Sequence, residues 1–186
     1  MDISKFEEKH VSTKEIYNGA VLHVIEDEIT LPDNRRATRE LIRHIGACCV
    51  IPVTDDLEVI MEHQYRYPIK SVVLEIPAGK LDAPDEDRLS AAKRELREET
   101  GYIADNWTDI GLYYPAPAYS DEKITMYLAT GLHPGVTDLD DDEVIEIEKI
   151  PLQTLVAQVM NGEITDGKTQ ICVLKAAKLL LEKDGE

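Results

Sequence analysis

Apolar and polar positions along the chain first read as strands. Ala20–Thr30 and Ala37–Ile45 have strand character and flank Leu31-Pro32-Asp33-Asn34, which predicts two strands joined by a turn. Ala47–Thr54 is a continuous apolar run, the mark of a strand buried on both faces. Asp55-Asp56 reads as a hairpin turn into Leu57–Tyr65, where Val59 and Met61 stand at period-two spacing. Val72–Ile76 is another strand, closed by Pro77-Ala78-Gly79, and residues 80–85 form a polar loop. The period then changes. Leu89, Ala92 and Leu96 recur at helical spacing, so Glu86–Thr100 is expected to be a helix, with Asp85 as N-cap and Gly101 as stop. Gly111–Tyr114, Ile124–Thr130 and Glu143–Ile150 read as strands, and Leu152–Met160 and Lys168–Lys183 as closing helices. Residues 1–18 are polar, either irregular or a short lead-in strand. Many strands with few helices, not in strict alternation, predict an α+β or mixed α/β fold in which residues 1–45 stand apart.

Charge changes this picture modestly. The chain has 186 residues, with 37 acids against 20 bases and a formal net charge of −17. An apolar fraction of 43 % excludes a disordered acidic tail. The acidity argues against nucleic acid and against anionic membrane surfaces, since both require a basic face. It leaves room for a protein that holds metal cations against phosphate. Cys48, Cys49 and Cys172 form no metal-binding or redox spacing, so reduced core thiols are expected. With no apolar leader in MDISKFEEKHVSTKE and no membrane-length apolar run, the expected setting is the cytoplasm.

The densest chemistry lies in Arg94-Glu95-Leu96-Arg97-Glu98-Glu99-Thr100-Gly101-Tyr102. On a helix, Glu95, Glu98 and Glu99 share one face. Three carboxylates on a rigid face suit a hard cation such as Mg²⁺, which takes oxygen ligands and shares them with substrate phosphates. The competing reading is a solvated helix face neutralised by Lys93, Arg94 and Arg97, and helix arithmetic alone favours it. The flanks change the odds: a strand and a glycine turn, Glu75-Ile76-Pro77-Ala78-Gly79-Lys80, lead in, and Gly101 ends the helix.

Together these residues resemble the box of the Nudix hydrolases, G-x5-E-x7-R-E-U-x-E-E-x-G-U with U apolar. Gly79, Glu86, Arg94, Glu95, Leu96, Glu98, Glu99, Gly101 and Tyr102 occupy its specified positions. Six residues rather than five separate Gly79 from Glu86, which reads as a one-residue insertion. Asp85 therefore competes with Glu86 as the first acid. The resemblance implies that Glu95, Glu98, Glu99 and the Ala78 carbonyl bind Mg²⁺, with Mn²⁺ as the expected substitute. It also implies that Arg94 orients the glutamates.

A second resemblance, over roughly residues 39–169, is to the ADP-ribose pyrophosphatase branch of that family. It rests on the order QYRYP, LEIPAGKLD, the box, PAPAYSDEK, DEVIEIEKIP and NGEITDGKT, and on Pro117 fifteen residues after Tyr102. Arg35, Arg36, Arg39 and Arg43 cluster in this acidic chain, and arginine forks suit diphosphate oxygens. Surface charge balance explains such a cluster equally well. The resemblance assigns Arg39 and Arg66 to the substrate diphosphate or ribose and Glu75 to the substrate side. The acidic run Asp138–Glu148 fails as a calcium loop, because Glu143 stands where glycine is needed and Lys149 where the bidentate glutamate belongs. By resemblance that run supplies the catalytic base, with Glu143 the best match and Asp141 the alternate.

The expected fold is therefore a Nudix-type α/β/α sandwich with a mixed sheet, residues 46–186, preceded by an N-terminal antiparallel β subdomain, residues 1–45, that builds a homodimer with exchanged strands. The expected reaction is Mg²⁺-dependent hydrolysis of a nucleoside diphosphate sugar, ADP-ribose giving AMP and ribose 5-phosphate. GDP-mannose or another nucleotide sugar is the alternative substrate. A non-catalytic nucleotide sensor and an acidic cation-binding protein are the alternatives to an enzyme.

Overall fold

The computed structural model of the protein describes residues 1–139 and 143–181. The chain divides into two compact units, residues 1–45 with 114–123 and residues 46–113 with 124–186.

In the first unit, β1 (Lys9–Asn18), β2 (His23–Thr30) and β3 (Arg36–Arg43) form an antiparallel sheet in that order. The polar lead-in is thus a full strand, exposed at every residue and paired with β2 from Lys9↔Thr30 to Asn18↔His23. A strand that buries neither face has no apolar alternation, so periodicity could not reveal it. The β2–β3 turn falls where Leu31-Pro32-Asp33-Asn34 predicts it. Asn34 takes φ 66° there, a conformation asparagine tolerates, and its N–H donates to the Leu31 carbonyl at 2.9 Å.

In the second unit, β4 (Ala47–Pro52) lies inside a mixed sheet ordered β7-β4-β9-β8, made with β7 (Ala78–Lys80), β9 (Ile124–Pro134) and β8 (Tyr102–Tyr113). Strand β4 runs parallel to β9; the other pairings are antiparallel. A second, antiparallel sheet has the order β10-β5-β6, from β10 (Ile145–Pro151), β5 (Glu58–Arg66) and β6 (Ser71–Glu75).

Every residue of β4 is buried, as its unbroken apolar run requires. Its side chains alternate between faces. Cys49 and Ile51 enter the main apolar core with Cys172, Val173 and Ala176 of α3 (Gly167–Leu180). Cys48 and Val50 point the other way, toward α1 (Arg88–Thr100), which also packs on β4. The mixed sheet is therefore covered by a helix on each face, the α/β/α layering expected. Helix α2 (Leu152–Met160) packs beside α3.

Several bounds differ from expectation for local reasons. Helix α1 begins at Arg88, because Asp87 rather than Asp85 caps it, accepting the Ser90 N–H at 2.8 Å. Gly101 ends it as expected, at φ 71°, with its N–H on the Arg97 carbonyl at 2.9 Å. Strand β8 starts well before Gly111, in a stretch that carries Asp105, Asn106, Thr108 and Asp109 and so hides its apolar alternation; a bulge at Asp109/Gly111 keeps it paired with β9. Strand β5 is the central strand of its sheet, and its residues from Val59 to Met61 are buried. The three cysteines are free and buried. Among the described residues, no helix is long and apolar enough to cross a membrane.

Candidate active site

Helix α1 aims its acids at the turn formed by β7. Glu95 and Glu99 are buried, and Glu98 is partly covered. Arg94 braces them: one guanidinium nitrogen lies 2.8 Å from Glu95 Oε1 and 3.1 Å from Glu98 Oε2. The same guanidinium reaches Glu86 at 3.6 Å and Asp82 at 3.4 Å. Glu86, before the helix, also accepts the Asp82 N–H at 2.7 Å, which folds the inserted loop back onto Arg94. The glycine at 79 has a steric cause, since a Cβ there would overlap the Glu95 carboxylate. One residue earlier, the Ala78 N–H donates to Glu99 Oε2 at 3.0 Å.

Ala78, Glu95, Glu98, Glu99 and Glu143 line one cleft of about 490 Å³, together with Arg94. Among the described residues, six acids, Asp82 and Asp138 included, face this space from three separate stretches of sequence. Asp141 lies outside the described residues. The electrostatics are those of crowded carboxylates. Burial pushes Glu95 up to about 7, against the pull of Arg94. Burial also raises Glu99 well above the usual carboxylate range, and Glu62, Glu95 and Glu143 add to it. Arg94 remains a cation, because the surrounding acids outweigh the opposing effect of its burial.

Beside the cleft, a buried network holds two of the residues expected on the substrate side. Arg66 Nε donates to Glu75 Oε1 at 2.7 Å, and Lys168 Nζ donates to Glu75 Oε2. Lys168 also lies 3.2 Å from Asp166. Asp166 caps α3, accepting the Thr169 N–H at 2.8 Å and its hydroxyl at 2.6 Å. The Thr169 hydroxyl in turn accepts the Ile76 N–H at 3.0 Å. The start of α3 is therefore fastened to the segment between Glu75 and Ala78. Glu62 stands opposite Glu75 across β5 and β6, fully buried, with both carboxylate oxygens lacking a hydrogen-bond partner among the described residues. Burial, then Glu75, raises its pKa.

Arg39 belongs to the first unit. Its guanidinium is exposed and held by Glu8, while Arg43 pairs with Asp121 at 2.9 Å.

Comparison with known proteins fits this arrangement. The NUDIX domain model matches residues 42–169, which spans the cleft and the network. The chain belongs to the Nudix family. It is a Nudix hydrolase. It is 35 % identical over 173 residues to the ADP-ribose pyrophosphatase of Bacillus subtilis, covering 92 % of this chain and 93 % of that protein. It is 36 % identical over 170 residues to the methanol dehydrogenase activator of Bacillus methanolicus, covering 90 % and 91 %. A crystal structure of an ADP compounds hydrolase superposes with a TM-score of 0.84 at 21 % identity, covering 94 % of this chain and 95 % of the other, so the two share a fold.

As a Nudix cleft, the donor set suits a divalent cation. Its acids are carboxylates, the hard oxygen donors that Mg²⁺ and Mn²⁺ prefer. Among the described residues no three His, Cys, Asp or Glu side chains already converge as a cation cage. Arg94 braces Glu95 and Glu98. Such an open arrangement is compatible with Mg²⁺, which keeps several waters and shares substrate oxygens.

Sequence reading missed Glu62, Lys168 and Thr169. Glu62 carried no signal, because its importance comes from its register with Glu75. Lys168 and Thr169 lie in NGEITDGKT, a stretch whose order was informative but whose role depends on folding back onto Ile76.

Proposed function

We propose that this Nudix hydrolase cleaves the pyrophosphate of a nucleoside diphosphate sugar in a Mg²⁺-dependent reaction, with ADP-ribose as substrate and AMP and ribose 5-phosphate as products. The observation that carries the reading is the single cleft lined by Glu95, Glu98, Glu99, Glu143 and Ala78. The similarity to a protein named ADP-ribose pyrophosphatase over nearly its whole length supports the substrate.

Each residue then has a task. Glu95, Glu98, Glu99 and the Ala78 carbonyl hold the cation, which when bound neutralises phosphate oxygens and makes water more acidic. Arg94 bridges and orients the carboxylates through its contacts to Glu95 and Glu98. Glu143 accepts the proton of the attacking water as general base, with Asp141 the alternate. Arg66, fixed at Nε by Glu75, offers its guanidinium to the diphosphate or ribose. Arg39 is the second arginine assigned to the substrate. The N-terminal sheet serves as the dimerisation subdomain, exchanging strands with a second copy. The exposure of every β1 residue and of apolar Val21 and Leu22 beyond it supports that role. The enzyme works in the cytoplasm on a small anion, without nucleic acid or membrane as partner.

The test is turnover on a panel of ADP-ribose, ADP-glucose, GDP-mannose, NADH and diadenosine polyphosphates with Mg²⁺. The proposal expects ADP-ribose to give the highest kcat/KM. Preference for GDP-mannose would overturn the substrate, and no monophosphate release from any member would overturn the enzymatic reading. Light scattering should give twice the monomer mass, and a monomer would contradict the dimer.

A further inference from the structure

The stretch NGEITDGKT folds into the turn before α3 and its first residues, yet none of its side chains lines the glutamate cleft. Its lysine is nonetheless in an unusual position. Lys168 is a charged side chain only 10 % exposed, and an ammonium is buried at a cost unless it is paired and hydrogen-bonded. Its partners are Glu75 Oε2 and Asp166, at opposite ends of a short span.

Glu75 is also deeply buried, at 2 % side-chain exposure, and its two oxygens are divided. One takes Lys168; the other takes Arg66 Nε at 2.7 Å. A carboxylate shared in this way cannot rotate about its last bond without losing a partner. The guanidinium of Arg66, whose side chain is 41 % exposed, therefore has its orientation fixed from behind. Without Lys168, Glu75 would keep one cationic partner while facing Glu62, a second buried acid in register with it across β5 and β6. Two buried carboxyls opposite one guanidinium would favour a carboxyl–carboxyl arrangement or pull Arg66 inward between them, and either draws the arginine away from the open side.

The geometry points to Lys168 as a positioning residue for substrate binding: through Glu75 it holds the Arg66 guanidinium in the orientation that grips the anionic part of a nucleoside diphosphate sugar. The inference rests on Arg66 being a substrate contact, as proposed above. Lys168 itself touches no reacting atom. Asp166 and Thr169 complete the brace by tying the start of α3 to the Ile76 N–H, so the ammonium arrives from a fixed helix rather than a loose loop.

The test uses the full-length protein with Lys168→Met and Lys168→Arg; Lys168→Gln replaces the methionine variant if that one does not fold. The first readout needs no substrate. The Arg66 Nε–H resonance, identified by its loss in Arg66→Lys, is expected to exchange slowly with water in the wild type, quickly in Lys168→Met, and slowly again in Lys168→Arg. The second readout is kinetic. With ADP-ribose and Mg²⁺, Lys168→Met should raise KM about tenfold or more while kcat stays within about threefold, and Lys168→Arg should restore most of the loss. An Arg66 signal that stays protected in Lys168→Met overturns the inference. So does loss of protection with unchanged KM, or a fall confined to kcat. A wild type that hydrolyses no member of the panel overturns the functional reading itself, and the positioning role with it.

Discussion

Arg66 and Arg39 look alike in the sequence, two arginines on strands of a very acidic chain, but they are held differently. Arg66 is anchored by Glu75, an acid nine residues away that is itself fixed by Lys168 from the far end of the chain. Arg39 is exposed on β3 and held by Glu8, with Asp27, its register partner, on the neighbouring strand. In the first arrangement the acid and the lysine behind it are buried, and three elements contribute. The second is a surface pairing of the kind that contributes little stability and exchanges partners easily. A charge fixed by buried partners is pre-oriented for a ligand, whereas a charge paired on an exposed sheet must be recruited.

This contrast predicts a graded series. The largest effect should come from the cleft itself. Glu98→Gln should lower kcat by about 10²–10³-fold, the range expected when several kcal/mol of cation-mediated stabilisation is lost, while circular dichroism stays unchanged. Near-wild-type rates under limiting Mg²⁺ would remove Glu98 from the cation set.

Next comes the arginine pair. Arg66→Ala should reduce kcat/KM by about 100-fold and Arg39→Ala by less than about tenfold, because only the first loses a pre-oriented guanidinium. Equal losses, measured on the same substrate, would break the comparison.

A smaller effect concerns pH. The Glu95 carboxyl is raised from 4.5 to about 7 in the folded protein, chiefly by burial. Unfolded, it releases its proton near its usual value; folded, it keeps the proton longer. Its contribution to stability is therefore present below pH 4.5 and is lost as pH rises toward 7. In EDTA, Tm should fall across that window, Glu95→Gln should flatten the fall, and Mg²⁺ should oppose it at the upper end. A Tm that rises with pH in EDTA would contradict the placement of this carboxyl. Smallest of all, Arg36→Ala, which removes a 3.5 Å exposed pair with Glu28, should shift unfolding free energy by no more than about 0.5 kcal/mol in a denaturant titration.

The same contrast governs what the sequence made legible. The helix acids were readable because they repeat on one helix, where spacing alone decides which side chains share a face, and the glycine at 79 flagged the turn that meets them. The central strand β4 was readable because burial on both faces leaves an unbroken apolar run. Strand β1 and most of β8 were not, since exposed or polar-rich strands show no apolar alternation, and their existence depends on a partner strand's hydrogen bonds. The Glu62–Glu75–Lys168 group was invisible for a related reason. Its members are brought together by strand register and by the return of α3, and neither leaves a local pattern. Glu143 was reached only through family resemblance; the cleft it shares with Glu95 and Glu99 is a fact of the fold.

The measurement that bears most directly on the account is ³¹P NMR of ADP-ribose incubated with the purified protein, with Mg²⁺ and with EDTA. With Mg²⁺ the diphosphate resonances are expected to give way to AMP and ribose 5-phosphate, and with EDTA, or in Glu98→Gln with Mg²⁺, to persist. Persistence with wild type and Mg²⁺, or equal cleavage in EDTA, would contradict it.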